Sequence, residues 1–272
     1  RAEVRIIEKP WGEAFSKDEL EEALIEHKPS ILAMVHAETS TGVCQPMEGI
    51  GDLCRKHDCL LLLDTVTSLG GVPLYLDDWK VDLAYSCSQK GLSCPPGLGP
   101  FTMGPRAEAK LAARQDKVPN WYLDVSLLNQ YWGSDRVYHH TAPVNMNFGM
   151  REALRLLAEE GLDNAWARHR SNAEALWSGL ESMGIEMHVP EAFRLPTLTT
   201  VRIPEDVDGK AFTQHLLNTH GIEVGGGLGV LAGKIWRIGL MGYNSNPENV
   251  SRLLNLFETE LPQFRQNVAV AA

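Results

Sequence analysis

In the first third of the chain, apolar residues fall into short unbroken runs. The segments 30–35 (SILAMV), 59–63 (CLLLL) and 82–86 (DLAYS) have strand length, and each gives way to polar residues. Between them, 16–27 and 47–57 have helical spacing. Ser16 is placed to cap the first helix, Glu19 completes a capping box, and Pro29 lies beyond the helix end. A further short strand is expected at 2–7 (AEVRII). Runs that do not alternate fit strands covered on both faces, and alternation of strand with helix fits an α/β domain with a largely parallel sheet. Ligands of such sheets bind beyond the carboxyl ends of the strands. Three polar clusters fall at that edge, at 36–42, 64–68 and 88–90.

The pattern then changes. A short charged helix is expected at 106–114, an aromatic segment with later helix at 119–132, and a loop at 136–143. Two long helices follow at 145–160 and 163–183, separated by Gly161. Strands at 198–203, 222–224 and 234–240 alternate with helices at 209–219 and 247–261, the last opening on Pro247. The expected organisation is a large α/β domain with a connecting helix over 1–160 and a smaller α+β domain over 161–272. The tail 266–272 (QNVAVAA) reads as frayed.

Composition narrows the classes. The chain has 272 residues, 44% hydrophobic, enough for a sizeable core. Its formal net charge of -10 argues against nucleic acid as the main partner. Five cysteines, with no CxxC pair, are neither a disulfide framework nor a zinc finger. No signal peptide and no run long enough to cross a membrane is present, so no membrane partner is expected. A start without methionine on a strand-like segment suggests further chain upstream.

Lys90 stands where a buried strand gives out into glycines and prolines (SQKGLSCPPG). Partial burial eases deprotonation of a lysine, and a free amine adds to carbonyls. A surface or salt-bridged lysine is the competing reading. Asp64 ends CLLLLD, where it either caps the next element or faces a protonated ring nitrogen. Pyridoxal phosphate (PLP) needs such a pair, a lysine for its aldehyde and an acid for its pyridinium. His36, Thr39, Ser40 and Thr41 form a polar turn fit for an anion, and Val66 offers apolar contact to a ring. Arg237, inside KIWRIGL, has the planar fork that grips a carboxylate, against a surface ion pair as the alternative. The glycines at 225–229 match no nucleotide fingerprint and suit close backbone approach. Adjacent His139 and His140 do not suit one metal ion, so no metal is expected. No GxSxG supports a serine hydrolase.

The blocks HAETSTGVCQP, LLLLDTVTSLGGVPL, DLAYSCSQKGLSCPPG, VYHHTAPV and KIWRIGLMG closely resemble the alanine–glyoxylate/serine–pyruvate aminotransferase family, within class V of the fold-type I PLP enzymes. The resemblance implies a Schiff base between Lys90 and PLP, with Lys90 also the proton shuttle. It implies Asp64 on the pyridine nitrogen, Thr39 near the O3′ and phosphate side, Val66 on the ring face and Gln89 on the phosphate. Tyr138 and Thr141 would reach the phosphate of a neighbouring subunit in a homodimer with shared sites, and Arg237 would clamp the substrate carboxylate. Substrates would be small amino acids and 2-oxo acids: alanine or serine as donor, glyoxylate or pyruvate as acceptor. The family also has an upstream phosphate-binding turn at a helix N-terminus and a tryptophan on the ring; neither is in this chain. A kynurenine-type aminotransferase, a lyase or cysteine desulfurase using Cys87 or Cys94, and a non-catalytic chain are the alternatives. The setting implied is peroxisome or mitochondrial matrix in a eukaryote, cytoplasm in a bacterium; the C-terminal Val-Ala-Ala is not a peroxisomal tripeptide of the Ser-Lys-Leu type.

Overall fold

The computed structural model describes residues 3–265. The tail at 266–272, including the C-terminal tripeptide, lies outside the described residues, as does Ala2.

The chain enters in an extended segment and forms α1 (Lys17–His27). Ser16 and Glu19 make the reciprocal capping box at its start. β1 (Ile31–Val35) follows, then a hairpin of β2 (Ala37–Glu38) and β3 (Val43–Cys44), α2 (Ile50–Lys56), β4 (Leu60–Asp64), β5 (Leu83–Tyr85) and β6 (Phe101–Met103). Four of these strands form one sheet in the order β1-β4-β5-β6. β1, β4 and β5 run parallel; β6 is antiparallel to β5. α1, α2 and the buried face of β4 enclose a core that includes Leu20, Leu24, Ile50, Cys54, Leu61 and Leu63. Asp82 accepts from Leu61 N–H and from Arg106, tying β4 to the start of β5 at the end away from the polar clusters.

Two short helices and two long ones then lead away: α3 (Pro105–Ala112), α4 (Val125–Trp132), α5 (Val144–Glu160) and α6 (Leu162–Ser182). Beyond them lies the smaller α+β domain. Its strands β7 (Leu198–Arg202), β8 (Gly225–Gly226) and β9 (Ile235–Gly239) form an antiparallel sheet in the order β7-β9-β8. α7 (Gly209–His220) and α8 (Pro247–Glu260) pack on it with α6 around Leu176, Leu180, Phe212, Trp236 and Phe257. Pro247 opens α8, as the sequence suggests, and Asn246 caps it. No helix among the described residues is long and apolar enough to cross a membrane.

Four expectations need correcting. Residues 3–7 are not a strand: they are extended without a partner, with Val4 and Ile6 exposed. Apolar alternation gave no partner for them, and a strand exists only when paired. The segment 222–224 is not a strand either; the pairing falls on Gly225 and Gly226, because the chain meets β9 there. The polar turn 36–44 contains the β2–β3 hairpin, and β6 was not foreseen. Finally, β1 is not covered on both faces: Ile31 and Val35 are exposed, as are Tyr85 and Phe101 on the neighbouring strands.

Candidate active site

The parallel strands bring the chemistry to one edge. Asp64 is the last residue of β4, and in register it stands between Val35 of β1 and Tyr85 of β5. Its carboxylate accepts from Val66 N–H through Oδ1 (2.8 Å) and from the Tyr85 hydroxyl through Oδ2 (2.6 Å). The first bond is the turn-capping role; the second belongs to the strand edge. The Asp64 carboxylate pushes the Tyr85 phenol up to about 12, so Tyr85 stays a donor. Tyr85 was missed in the sequence. The alternation in DLAYS, placing it on the same edge as Asp64 once β5 is paired with β4, was its only signal.

Lys90 lies five residues beyond β5 and is half-buried. Among the described residues no carboxylate pairs with its ammonium, so the salt-bridged alternative fails. The loop that carries it is fixed by backbone contacts. Ser93 N–H donates to the Lys90 carbonyl (2.9 Å), Ser88 N–H to Leu98 O (3.0 Å), and the Ser88 hydroxyl to Pro95 O (2.7 Å). Gly91 packs against the turn that follows Asp64, where a Cβ would collide with the Leu69 carbonyl oxygen. Ser93 Oγ accepts from Tyr243 N–H (2.8 Å), and Gly242, at φ +57°, leaves room for that serine. The lysine loop is thus held between the Asp64 turn and the small domain. Gly91→Ala should lower stability by about 1–3 kcal/mol, since backbone must move on both sides of the contact. Thermal unfolding would show it as a drop of several degrees, and an unchanged transition would refute the packing role.

Arg237 comes from β9 and crosses to the first polar turn. Its Nε donates to Gly226 O (2.7 Å) and its Nη1 to Thr39 O (3.1 Å). No carboxylate pairs with it among the described residues, so the surface ion pair is excluded and the fork keeps unused N–H groups. The glycine loop gives that approach: Gly225 lies against the arginine side chain and Gly226 supplies the carbonyl. The Thr39 turn itself rests on the small domain. Thr200 Oγ1 donates to Thr41 O (2.6 Å), and a side chain on Gly42, at φ +80°, would meet that hydroxyl.

The remaining candidates separate. Ser40 is engaged within its own turn, N–H and Oγ both on Glu38. Val66 lies two residues beyond Asp64 in the same turn, and Gln89 beside Lys90 is exposed. Tyr138 and Thr141 bond each other, hydroxyl to hydroxyl at 3.0 Å, and among the described residues bond none of Asp64, Lys90 or Arg237. Tyr138 is 72% exposed, in company with Trp121, Tyr122, Trp132 and Phe148. His139 stacks on Trp121 and its Nδ1 meets that of His140 (2.8 Å), so these imidazoles serve each other. His36 faces elsewhere. It lines a cavity of about 500 Å³ with Cys44, Trp79 and Trp166, is buried, and is pushed down to about 4 by that burial. Lys90, Asp64 and Arg237 do not line this cavity, so it and the reactive edge are different places.

The geometry has close counterparts. The model of the aminotransferase class-V family matches residues 1–253. An alanine–glyoxylate aminotransferase of Oryctolagus cuniculus is 43% identical over 270 residues, 98% of this chain and 69% of that protein. An (S)-ureidoglycine–glyoxylate transaminase of Bacillus subtilis is 37% identical over 289 residues, 100% of this chain and 69% of that protein. The crystal structure of an alanine–glyoxylate aminotransferase from Nostoc sp. superposes with a TM-score of 0.92 at 64% identity, covering 94% of this chain and 68% of that one. The chain spans about two thirds of the length of the curated relatives it matches, 64% and 61% for those of mouse and marmoset. The family model covers most of the chain and these relatives share its fold, so the chain belongs to the aminotransferase class-V family.

Proposed function

We propose that this protein is a PLP-dependent aminotransferase that takes the amino group of alanine or serine and gives it to glyoxylate or pyruvate. The observation that carries the reading is Lys90, half-buried, without an ionic partner among the described residues, and held by its loop against the turn of Asp64. The residues present fit the cofactor. The amine of Lys90 suits its aldehyde, Asp64 its pyridinium nitrogen, Val66 its ring face, and Thr39 and Gln89 its oxygens. When bound, PLP supplies an electron sink that lets a Cα–H bond of an amino acid break. Lys90 Nζ takes and returns the substrate's proton. Asp64 keeps the ring nitrogen protonated, and the Tyr85 hydroxyl on Oδ2 holds that carboxylate in place. The free N–H groups of Arg237 grip the α-carboxylate and so orient the bond to be broken.

The acceptor reading is supported by the word glyoxylate in the names of the mammalian and Bacillus subtilis relatives; their donors differ. Parallel rates with alanine, serine, 3-hydroxykynurenine and (S)-ureidoglycine against glyoxylate separate the donors. Glycine formed from glyoxylate with alanine consumed supports the proposal. Sulfide release from cysteine with no amino transfer would move it to the lyase reading.

The exposed Tyr138–Thr141 pair and the aromatic residues around it support a homodimer in which these hydroxyls face the partner's cofactor phosphate. Sedimentation should give twice the chain mass. Tyr85→Phe should weaken cofactor affinity up to about tenfold, since one hydrogen bond to a charged group is lost at a partly wet site. Titration of the visible band with PLP measures it; unaltered affinity would mean water replaces the hydroxyl.

A further inference from the structure

We propose that the small domain carries a binding site for a divalent transition ion of the zinc class, formed by His215 and His220 of α7 and Glu260 of α8. The site is independent of the catalytic proposal.

His215 and His220 sit in the last turns of α7, and Glu260 is the last residue of α8. Glu260 Oε2 contacts His215 Nε2, while His220 Nε2 lies 2.8 Å from Oε1 and 3.0 Å from Oε2. One donor atom from each of the three residues lies within 4.8 Å of the other two. Around a tetrahedral zinc ion, donors at about 2.0–2.1 Å from the metal stand roughly 3.3 Å apart, so only small side-chain shifts separate this cluster from a ligand set. The rings agree. The two imidazole centroids are 5.6 Å apart with planes at 78°, and two imidazoles on one tetrahedral ion place their centroids about 5 Å apart.

The surroundings also suit a cation. Thr219 Oγ1 lies 3.2 Å from His215 Nδ1. With the ring proton on Nδ1, the threonine accepts it and Nε2 is free for a metal, the arrangement that orients metal-bound histidines. An ion bound at Nε2 would take the place of the ring proton that otherwise bridges to Glu260. α7 and α8 both end at the cluster, and helix C-termini favour positive charge. Phe264 packs on the His215 ring at 5.2 Å and shields one side. The nearby cation, Arg252, is engaged with the His220 carbonyl (2.7 Å). The three side chains are 30%, 23% and 19% exposed, open enough for an ion to enter with a water as fourth ligand. Two imidazoles and one carboxylate favour zinc, nickel or copper over magnesium or calcium.

The competing reading is a carboxylate shared by two histidines that merely ties α7 to α8. Calorimetric titration of the full chain with zinc chloride in a non-chelating buffer separates them. One ion per chain at micromolar affinity is expected, weakened at least tenfold in His220→Ala and in Glu260→Gln. Zinc should raise the thermal transition of the wild type and not of these variants, whose metal-free transitions report their folding. Substitution with cobalt should give the visible spectrum of a tetrahedral N/O site in the wild type. An anomalous-scattering peak between these three side chains would locate the ion without any variant. Absence of binding at 0.1 mM zinc (about a hundredfold above the expected affinity) would overturn the proposal. So would binding that survives both variants and disappears on His139→Ala or on blocking the thiols.

Discussion

Lys90→Ala should abolish amino-group transfer, by about a thousandfold or more, while leaving the thermal transition almost unmoved. The first half follows from chemistry: without an amine at that position nothing holds the cofactor aldehyde and nothing shuttles the proton, and loss of one positioned acid–base group alone costs about 10²–10⁴. The second half follows from structure. The Lys90 side chain makes no ion pair among the described residues, and its loop is fixed by Ser88, Gly91 and Ser93 through bonds that do not use the ammonium. A visible band near 400–430 nm (about the range of a cofactor Schiff base) should form with added PLP in the wild type and be absent in the variant. Lys90→Arg is the sharper control. It keeps the positive charge but cannot condense with an aldehyde, so it should be as inactive as the alanine variant. Reduction of the loaded wild type with borohydride should fix the cofactor's mass on the peptide containing Lys90. Full activity in Lys90→Ala, or the mass on another lysine, would return Lys90 to an ordinary surface residue.

Much of this frame was legible in the sequence because each cue was local. The Ser16–Glu19 capping box, the Asn246–Pro247 start and the strand-length runs ending at Val35 and Asp64 are decided within a few residues, and all stand in the structure. What failed depends on partners far along the chain. Residues 3–7 look like a strand but find nothing to pair with; β6 looks like loop but pairs because residues 101–103 return beside β5. Gly225 and Gly226 have poor strand propensity, yet pair with β9 because close approach there needs no side chain.

The site divides the same way. Asp64 could be picked out because it ends a recognisable strand, and Lys90 because it follows one in a loop of glycine and proline. Tyr85 could not, since its role requires the β4–β5 register that sets it beside Asp64. Arg237 could be suspected from its place among apolar residues, but its direction comes from Thr39, 198 positions away. The adjacent histidines at 139 and 140 are spent on each other and on Trp121, whereas His215, His220 and Glu260 converge from two helices with nothing in the sequence to announce it.

Arg237→Ala should raise KM for both alanine and glyoxylate by about 10²–10³, with cofactor uptake intact. The magnitude rests on losing a bidentate, charge-assisted pair of bonds to a carboxylate, each worth about 1.5–3 kcal/mol. Both substrates should be affected because both carry the same α-carboxylate; an amine without one should be indifferent to the change. The visible band should survive, since Lys90 and Asp64 do not depend on the guanidinium, and this separates a substrate-binding defect from loss of the cofactor. Arg237→Lys should recover only part of the effect, because one ammonium cannot both bond the carbonyls of Gly226 and Thr39 and present two parallel donors to a carboxylate. Either variant also unties β9 from the Thr39 turn, so the thermal transition should fall by a few degrees, more in alanine than in lysine. A variant that lost those degrees yet kept both KM values would show that the arginine only braces the small domain against the turn, and that the carboxylate is held elsewhere.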